Sequence, residues 1–299
     1  MSRSLAVDAV NAGLRTFGRL TPVNPISDRL IKAIAPHVLP GESIVKTRSG
    51  GRFRVFTQKP PTLVNNPDYF LYYFGVWEPR MARALSRRLR PGDVCLDIGA
   101  NIGWYTLLMS RLVGEGGAVH AFEPDPAAYA RLADHVALNR ATNVVVNHGA
   151  LGREEGEVTF YATPESIYSS MYDLGFRGSR RISVPCQTVD SYVAHRGIER
   201  LDFIKCDVEG AELEVLQGAE STLRRLRPTM QLEVNPATAR AAGGSTQSIL
   251  EWLSALGDYR FYSVRLDGAL KPVDATALSG HLTDVYCLPG EATRESIAA

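Results

Sequence analysis

Residues 93–106 read DVCLDIGANIGWYT, and the fold is decided by how this stretch is read. Val94–Ile98 is a short apolar run of β-type residues, interrupted by one acid, Asp97, and stopped by Gly99. A run of that length ending at a glycine predicts a buried strand. Gly103 follows, and an apolar helical pattern then runs from Trp104 to Val113. Strand, glycine turn and helix in this order gather free backbone N–H groups at a helix N-terminus, beside the C-terminal ends of parallel strands. Nucleotide-like ligands bind there in open α/β sheets. Many packing turns share the Gly-x-x-x-Gly spacing, so the turn alone does not identify a ligand.

The context outward from it does more. A second strand-like run, 118–122, ends at Glu123-Pro124. An acid about 20 residues past the last glycine, at a strand tip, is placed to accept both hydroxyls of a ribose. The pattern is not Gly-x-Gly-x-x-Gly. It lacks the third glycine that suits a pyrophosphate, which counts against the rival reading, an NAD-dependent oxidoreductase on a Rossmann sheet. Asp97 sits beside the turn, where it could orient the loop or engage an ammonium group. S-adenosylmethionine, an adenosine that carries an amino acid, fits this set better than a dinucleotide.

With 299 residues the chain can bury a full α/β core. Its net charge of +1 makes no electrostatic case for a nucleic-acid partner. Cys95, Cys186, Cys206 and Cys287 have no Cys-x-x-Cys spacing and predict neither a zinc site nor a disulfide framework. No apolar run is long enough to span a bilayer, and no signal-peptide core is seen, so the expected compartment is the cytoplasm.

Residues 4–20 have helical apolar spacing with arginines opposite. They read as a membrane-surface or partner helix, or as a helix packed on the domain or on a homodimer mate. Residues 43–57 predict a β-hairpin about Ser49-Gly50-Gly51. Residues 1–65 are therefore expected to form an accessory cap, and 66–299 the main domain. The aromatic stretch 66–77 reads as core or as a wall of the cofactor pocket. Further on, 166–179 is a polar loop around Ser169-Ser170-Met171. Strand 202–206 leads at once into Asp207-Val208-Glu209-Gly210 and a helix with Glu212 on its polar side. Segments 261–265 and 283–288 read as a terminal strand pair. Alternating strands and helices closed by this pair predict a mostly parallel sheet with helices on both faces.

Three blocks make the sequence resemble the FkbM-type family of S-adenosylmethionine-dependent methyltransferases. They are LDIGANIGWYT with the later FEP; HGALG with the Ser-Ser-Met loop and TVDSY; and LDFIKCDVEGAELEVLQGA with PTMQLEVNP. Together they cover about residues 90–236, and the third is the most family-specific. The resemblance implies a class I methyltransferase, Rossmann-like α/β fold with a seven-stranded, mostly parallel sheet. To this the chain adds an N-terminal helical and β-hairpin extension. It also implies O-methylation of a hydroxyl on a sugar, glycoside or polyketide-type natural product, with a small molecule or glycan as acceptor. Carried over by position, Asp97, Gly99, Asn101 and Gly103 should hold the methionine part. Glu123, with Pro124 behind it, should bind the ribose, and Gly149-Ala150 should face the adenine. Glu78 is a further candidate for the amino-acid end.

An acceptor hydroxyl is a poor nucleophile while protonated, so a base, or a metal that lowers its pKa, should assist. Asp207 and Glu209 follow a buried strand at the same sheet edge as Glu123, and Glu233 lies near the end of the next. Asp207 reads either as that base or as a helix N-cap. His148 and His195 are alternative bases. Asp207, Glu209 and Glu233 together are candidate ligands for Mg²⁺, a hard cation that takes carboxylates.

Overall fold

The computed structural model describes residues 5–35, 41–57, 66–274 and 283–290. The chain forms two compact units. The first is Met1–Pro79 with Ala137–Arg140; the second is Arg80–Val136 with Ala141–Ala299.

The first unit begins with α1 (Leu5–Leu20) and α2 (Pro25–Ile34). Asn24 caps α2: its side chain accepts the N–H groups of Ile26 and Ser27, Ser27 reciprocates, and Pro25 opens the helix. Strands β1 (Glu42–Lys46) and β2 (Arg52–Phe56) form the expected antiparallel hairpin, with Val45, Phe53 and Val55 buried. Helix α3 (Pro67–Tyr73) packs against α1 and β2. Its Tyr69, Tyr72 and Tyr73 are buried with Phe74, and Asn11 donates to the Tyr72 hydroxyl at 2.6 Å. The aromatic stretch is thus the core of this unit. The units divide at Pro79, whereas a boundary after residue 65 was expected; residues 58–65 lie outside the described residues.

The second unit starts with α4 (Pro79–Arg88), β3 (Val94–Ile98), α5 (Trp104–Val113), β4 (Ala118–Glu123), α6 (Pro126–Asn139) and β5 (Val144–His148). Then come β6 (Ala150–Leu151), β7 (Gly156–Ala162), β8 (Arg180–Gln187), α7 (Val189–His195), β9 (Phe203–Cys206), α8 (Glu212–Gln217) and α9 (Glu220–Leu226). It closes with β10 (Thr229–Val234), α10 (Pro236–Ala241), α11 (Thr246–Leu256), β11 (Arg260–Val264), β12 (Leu270–Pro272) and β13 (Thr283–Leu288). The main sheet has the order β12-β11-β13-β10-β9-β3-β4-β5. Its β10-β9-β3-β4-β5 part is parallel, and β13 enters antiparallel beside β10. Seven of these strands answer the expected sheet. The eighth, β12, is a three-residue edge strand that folds back on β11 after the Asp267-Gly268 turn.

Strands covered on both faces carry nearly continuous apolar runs. Accordingly Leu96, Ile98, Ile204 and Leu232 are buried with helix residues Leu216, Leu223 and Leu250. Strands β6, β7 and β8 form a separate small sheet with its own apolar cluster around Phe160 and Val184. All four cysteines are buried free thiols. Among the described residues no helix is long and apolar enough to cross a membrane. The first strand of the sheet, β3, sits centrally. The chain runs outward through β4 and β5, then returns to lay β9 and β10 on the other side. That reversal between β3 and β9 opens a crevice at the strand C-termini, the place where open α/β sheets take their ligands.

Candidate functional site

The turn after β3 lines one side of that crevice. Gly99 has φ +77, and a Cβ on it would lie 1.9 Å from the Asp207 carbonyl oxygen, so only glycine fits. The same close approach brings the turn against the loop that follows β9. Gly103 has φ +85, and a Cβ there would meet Leu132 at 2.5 Å. Between them Asn101 is left-handed without being glycine, at φ 49. Its N–H donates to Glu123 Oε2 at 2.7 Å, and its side chain accepts from Ser166 Oγ at 2.8 Å.

Glu123, at the end of β4, is 5% exposed, and its other oxygen accepts the Asp125 N–H at 2.8 Å. Burial pushes this carboxyl up to about 8, against the two backbone donors, which favour the ionised form. Pro124, which has no N–H to compete, separates Glu123 from Asp125. Asp125 accepts the Ala127 and Ala128 N–H groups at the start of α6 and the Ser169 hydroxyl at 3.1 Å. Asp97 is fully buried. One oxygen takes the Thr106 hydroxyl at 2.5 Å, and Oδ1 has no hydrogen-bond partner among the described residues. Its carboxyl is raised by desolvation, partly offset by Lys205. An orphaned buried carboxylate oxygen beside a glycine cradle suits an ammonium donor, and the Glu123 oxygens keep lone pairs for hydroxyls. The residues present therefore fit S-adenosylmethionine. At the end of β5, the Gly149 N–H donates to the Glu123 carbonyl at 3.2 Å, and Ala150 opens β6, buried.

The loop after β9 lines the other side. Its Asp207 does not cap a helix: α8 begins later, after Ala211. Asp207 Oδ2 instead pairs with Lys205 Nζ at 2.9 Å, and Lys205, 3% exposed, lies over the Tyr105 ring at 4.9 Å. The loop's N–H groups are served by Glu212, which was expected on a polar helix face and is in fact buried. Its carboxylate turns back to accept the N–H groups of Val208 and Gly210, and burial pushes it up to about 7. Glu209 is left-handed at φ 52, and its carbonyl accepts from Ser170 Oγ at 2.7 Å. Two non-glycine residues at positive φ, Asn101 and Glu209, thus face the crevice from opposite loops. Such strain persists only where surrounding bonds hold it.

Asp207, Glu209 and Glu233 each bring a carboxylate oxygen to within 4.8 Å of the others. Glu233 stands opposite Asp284 in the β10–β13 register, and Arg80 lies 3.7 Å from Asp284. Desolvation, then repulsion from Asp207 and Glu209, raises the Glu233 carboxyl far above the usual carboxylate range; its Oε2 is buried without a hydrogen-bond partner among the described residues. Three carboxylates this close accept either a proton or a cation.

The remaining candidates lie apart from this group. His148 is exposed, tilted against Tyr129 at 4.6 Å, on β5. Three strand spacings of about 4.8 Å separate β5 from β9, so His148 does not join Asp207. His195 is exposed at the C-terminal end of α7 and pairs with Ser191. Glu78 belongs to the first unit and has φ 44. Sequence reasoning missed Lys205, Asp125 and Asp284. The first carried a signal, a lysine inside the otherwise apolar strand FIKC; Asp284 had none before its register was known.

Residues 97–261 match the model of the methyltransferase FkbM domain. Among curated proteins the chain is similar to the 31-O-demethyl-FK506 methyltransferase FkbM of Streptomyces tacrolimicus, with 31% identity over 188 residues, 52% of this chain and 71% of that one. It is 28% identical over 147 residues to the hexuronic acid methyltransferase AglP of Haloferax volcanii, 49% of this chain and 58% of the relative. The 2-O-methyltransferase NoeI of Sinorhizobium fredii is 28% identical over 176 residues, 51% and 70%.

Proposed function

The chain belongs to the FkbM methyltransferase family, S-adenosylmethionine-dependent enzymes of class I, Rossmann-like fold, and from that premise we propose that it methylates a hydroxyl oxygen of a sugar, glycoside or polyketide-type acceptor. The observation that carries this reading is the carboxylate group of the loop after β9, held beside the glycine turn by the Gly99–Asp207 approach. An amine acceptor needs no base once neutral; a hydroxyl does. Relatives whose names specify oxygen, FkbM and NoeI, support the same choice.

S-adenosylmethionine, when bound, supplies an electrophilic methyl whose bond to sulfur breaks as the bond to the acceptor oxygen forms. The Glu123 carboxylate would take the ribose hydroxyls and Asp97 Oδ1 the ammonium, with Gly99, Asn101 and Gly103 shaping the cradle and Gly149-Ala150 beside the adenine. Asp207 would accept the hydroxyl proton, and Lys205 holds that carboxylate in place. Because the leaving group is already good, most of the protein's contribution is positioning.

In the alternative, Asp207, Glu209 and Glu233 would hold Mg²⁺, which would lower the pKa of the hydroxyl in place of Asp207 as base. The repulsion among them favours this second element. EDTA should then abolish activity and Mg²⁺ should restore it; indifference to EDTA leaves Asp207 acting as base alone.

The test of the main reading uses methyl-labelled S-adenosylmethionine with a panel of methyl glycosides and macrolide alcohols. Label recovered as a methyl ether supports it. Label on nitrogen or carbon, or binding of NADH in place of S-adenosylhomocysteine, overturns it.

A further inference from the structure

Charge and apolar exposure are both distributed unevenly along this chain. The first unit carries eleven Lys or Arg against five Asp or Glu, a net of +6, whereas the whole chain stands at +1, so the second unit carries −5. Ten large apolar residues are exposed among the described residues, and eight of them are in the first unit. On α2, Ile26, Leu30 and Ile34 follow at four-residue spacing and form one outward stripe, while Ile31 on the other face is fully buried. On α1, Val10 and Phe17, seven residues apart, share one outward face, and Leu20 follows three residues on. Leu20 and Ile26, 81% and 72% exposed, flank the short turn between the helices.

The tip of the hairpin lies against that turn. Arg19 donates to the Lys46 carbonyl at 2.7 Å, and Arg48 donates to the carbonyls of Gly18 and Thr21 at 3.0 and 2.9 Å. At this tip Lys46 and Arg52 stand directly opposite one another in the register, both exposed. Like charges in directly opposed strand positions destabilise a hairpin unless an anion joins them. One edge of the unit therefore combines bare leucine and isoleucine with an unneutralised cationic pair. A nucleic acid would use the cations and leave the apolar stripe in water. A bilayer with anionic headgroups uses both.

We propose that the turn between α1 and α2, with the neighbouring hairpin tip, docks on an anionic lipid bilayer surface. Leu20, Ile26 and Leu30 enter the headgroup region, and Lys46 and Arg52 take lipid phosphates. The enzyme then works at a membrane face without crossing it.

The test is flotation of the full chain with vesicles of phosphatidylcholine alone or of equimolar phosphatidylcholine and phosphatidylglycerol. Binding should require phosphatidylglycerol and weaken as salt is raised, since the Debye length shortens to about 3 Å at 1 M. The triple variant Leu20→Gln, Ile26→Gln, Leu30→Gln should bind at least about tenfold more weakly, a change of only ~1.4 kcal/mol. The pair Lys46→Gln, Arg52→Gln should lose the salt dependence. All these side chains are exposed, and unchanged far-ultraviolet circular dichroism together with near-ultraviolet dichroism from the first unit's buried tyrosines would verify that the variants fold. Failure of the wild type to float with anionic vesicles at low salt overturns the proposal, as does equal binding by the triple variant. A homodimer in solution that the triple variant dissociates would assign the face to a second copy instead, which also overturns it. None of these outcomes depends on the acceptor being a hydroxyl.

Discussion

The two sides of the crevice bury their carboxylates in opposite ways. On the proposed cofactor side each acid has its own donors: Glu123 takes the N–H groups of Asn101 and Asp125, and Asp97 takes the Thr106 hydroxyl. On the proposed acceptor side Asp207, Glu209 and Glu233 cluster, with Asp284 opposite Glu233; Lys205 pairs with Asp207, and Arg80 lies near Asp284. Burial raises the carboxyls of Asp97 and Glu123 on the first side and of Glu233 and Asp284 on the second. On the first, backbone donors resist that rise at Glu123, which suits the uncharged diol proposed for it. On the second, the charges of Asp207 and Glu209 add to the rise at Glu233, which favours a proton or a cation there.

Removing charge from the acceptor side gives the largest expected effect. Asp207→Asn keeps the shape and deletes the negative charge, and should slow methyl transfer by roughly 10²–10⁴, the usual worth of a positioned base. Asp207 caps no helix, but it pairs with the buried Lys205, so the variant's thermal midpoint should fall while S-adenosylhomocysteine should still bind. A normal rate per folded molecule would take Asp207 out of the chemistry and move attention to Glu209.

On the cofactor side the expected loss is in affinity. Glu123→Ala removes acceptors of charge-assisted hydrogen bonds, each contributing about 1.5–3 kcal/mol. S-adenosylmethionine should bind at least about tenfold more weakly, by calorimetry. Unchanged affinity in a folded variant would erase the distinction drawn between the two sides.

Acidity sharpens the same point. In the free protein the Glu123 carboxyl is pushed up to about 8 by burial. Ribose hydroxyls donate to the ionised form and so lower that pKa on binding. Binding then releases a proton, and affinity should rise with pH toward about 8 and level off above it, with a slope of at most about tenfold per pH unit. Calorimetry in buffers of different ionisation enthalpy measures the proton directly. Uptake of a proton would have the wrong sign.

Glu233→Gln should change least, and in a telling direction. The folded chain holds the Glu233 proton that the unfolded chain releases, so the wild type loses stability as pH rises from the ordinary carboxylate range. Glutamine has no proton to lose. At neutral pH, without divalent cations, the variant should therefore be more stable, by on the order of 1 kcal/mol. Added Mg²⁺ should raise the thermal midpoint of the wild type and leave that of the variant where it was. A variant less stable than the wild type in EDTA would mean that Glu233 is satisfied in a way its repulsive neighbours do not suggest.

The turn of the proposed cofactor side was legible in the amino-acid sequence because it is local. A strand, Gly99, Gly103 and a helix are consecutive, and Glu123 follows at the tip of the next strand; the backbone requirements of a tight turn leave only glycine at those positions. The alternation of strands and helices, and the closing pair of β11 and β13, were legible for the same reason. The acceptor side was only half legible. Asp207 and Glu209 could be named from their place after a strand. That Lys205 reaches Asp207, that Glu212 folds inward to hold the loop, and that Asp284 lies opposite Glu233 depended on burial and strand register, which join residues far apart in the chain. The aromatic stretch 66–77 was ambiguous too, since its periodicity says that it is buried but not in which unit. Sequence by itself determined the turn chemistry and the sheet class, because those follow from short-range sterics and hydrophobic period. The tertiary structure alone decided which acids meet, because electrostatic coupling depends on distance in space, and one residue of register shift turns a strand's side chains to the other face.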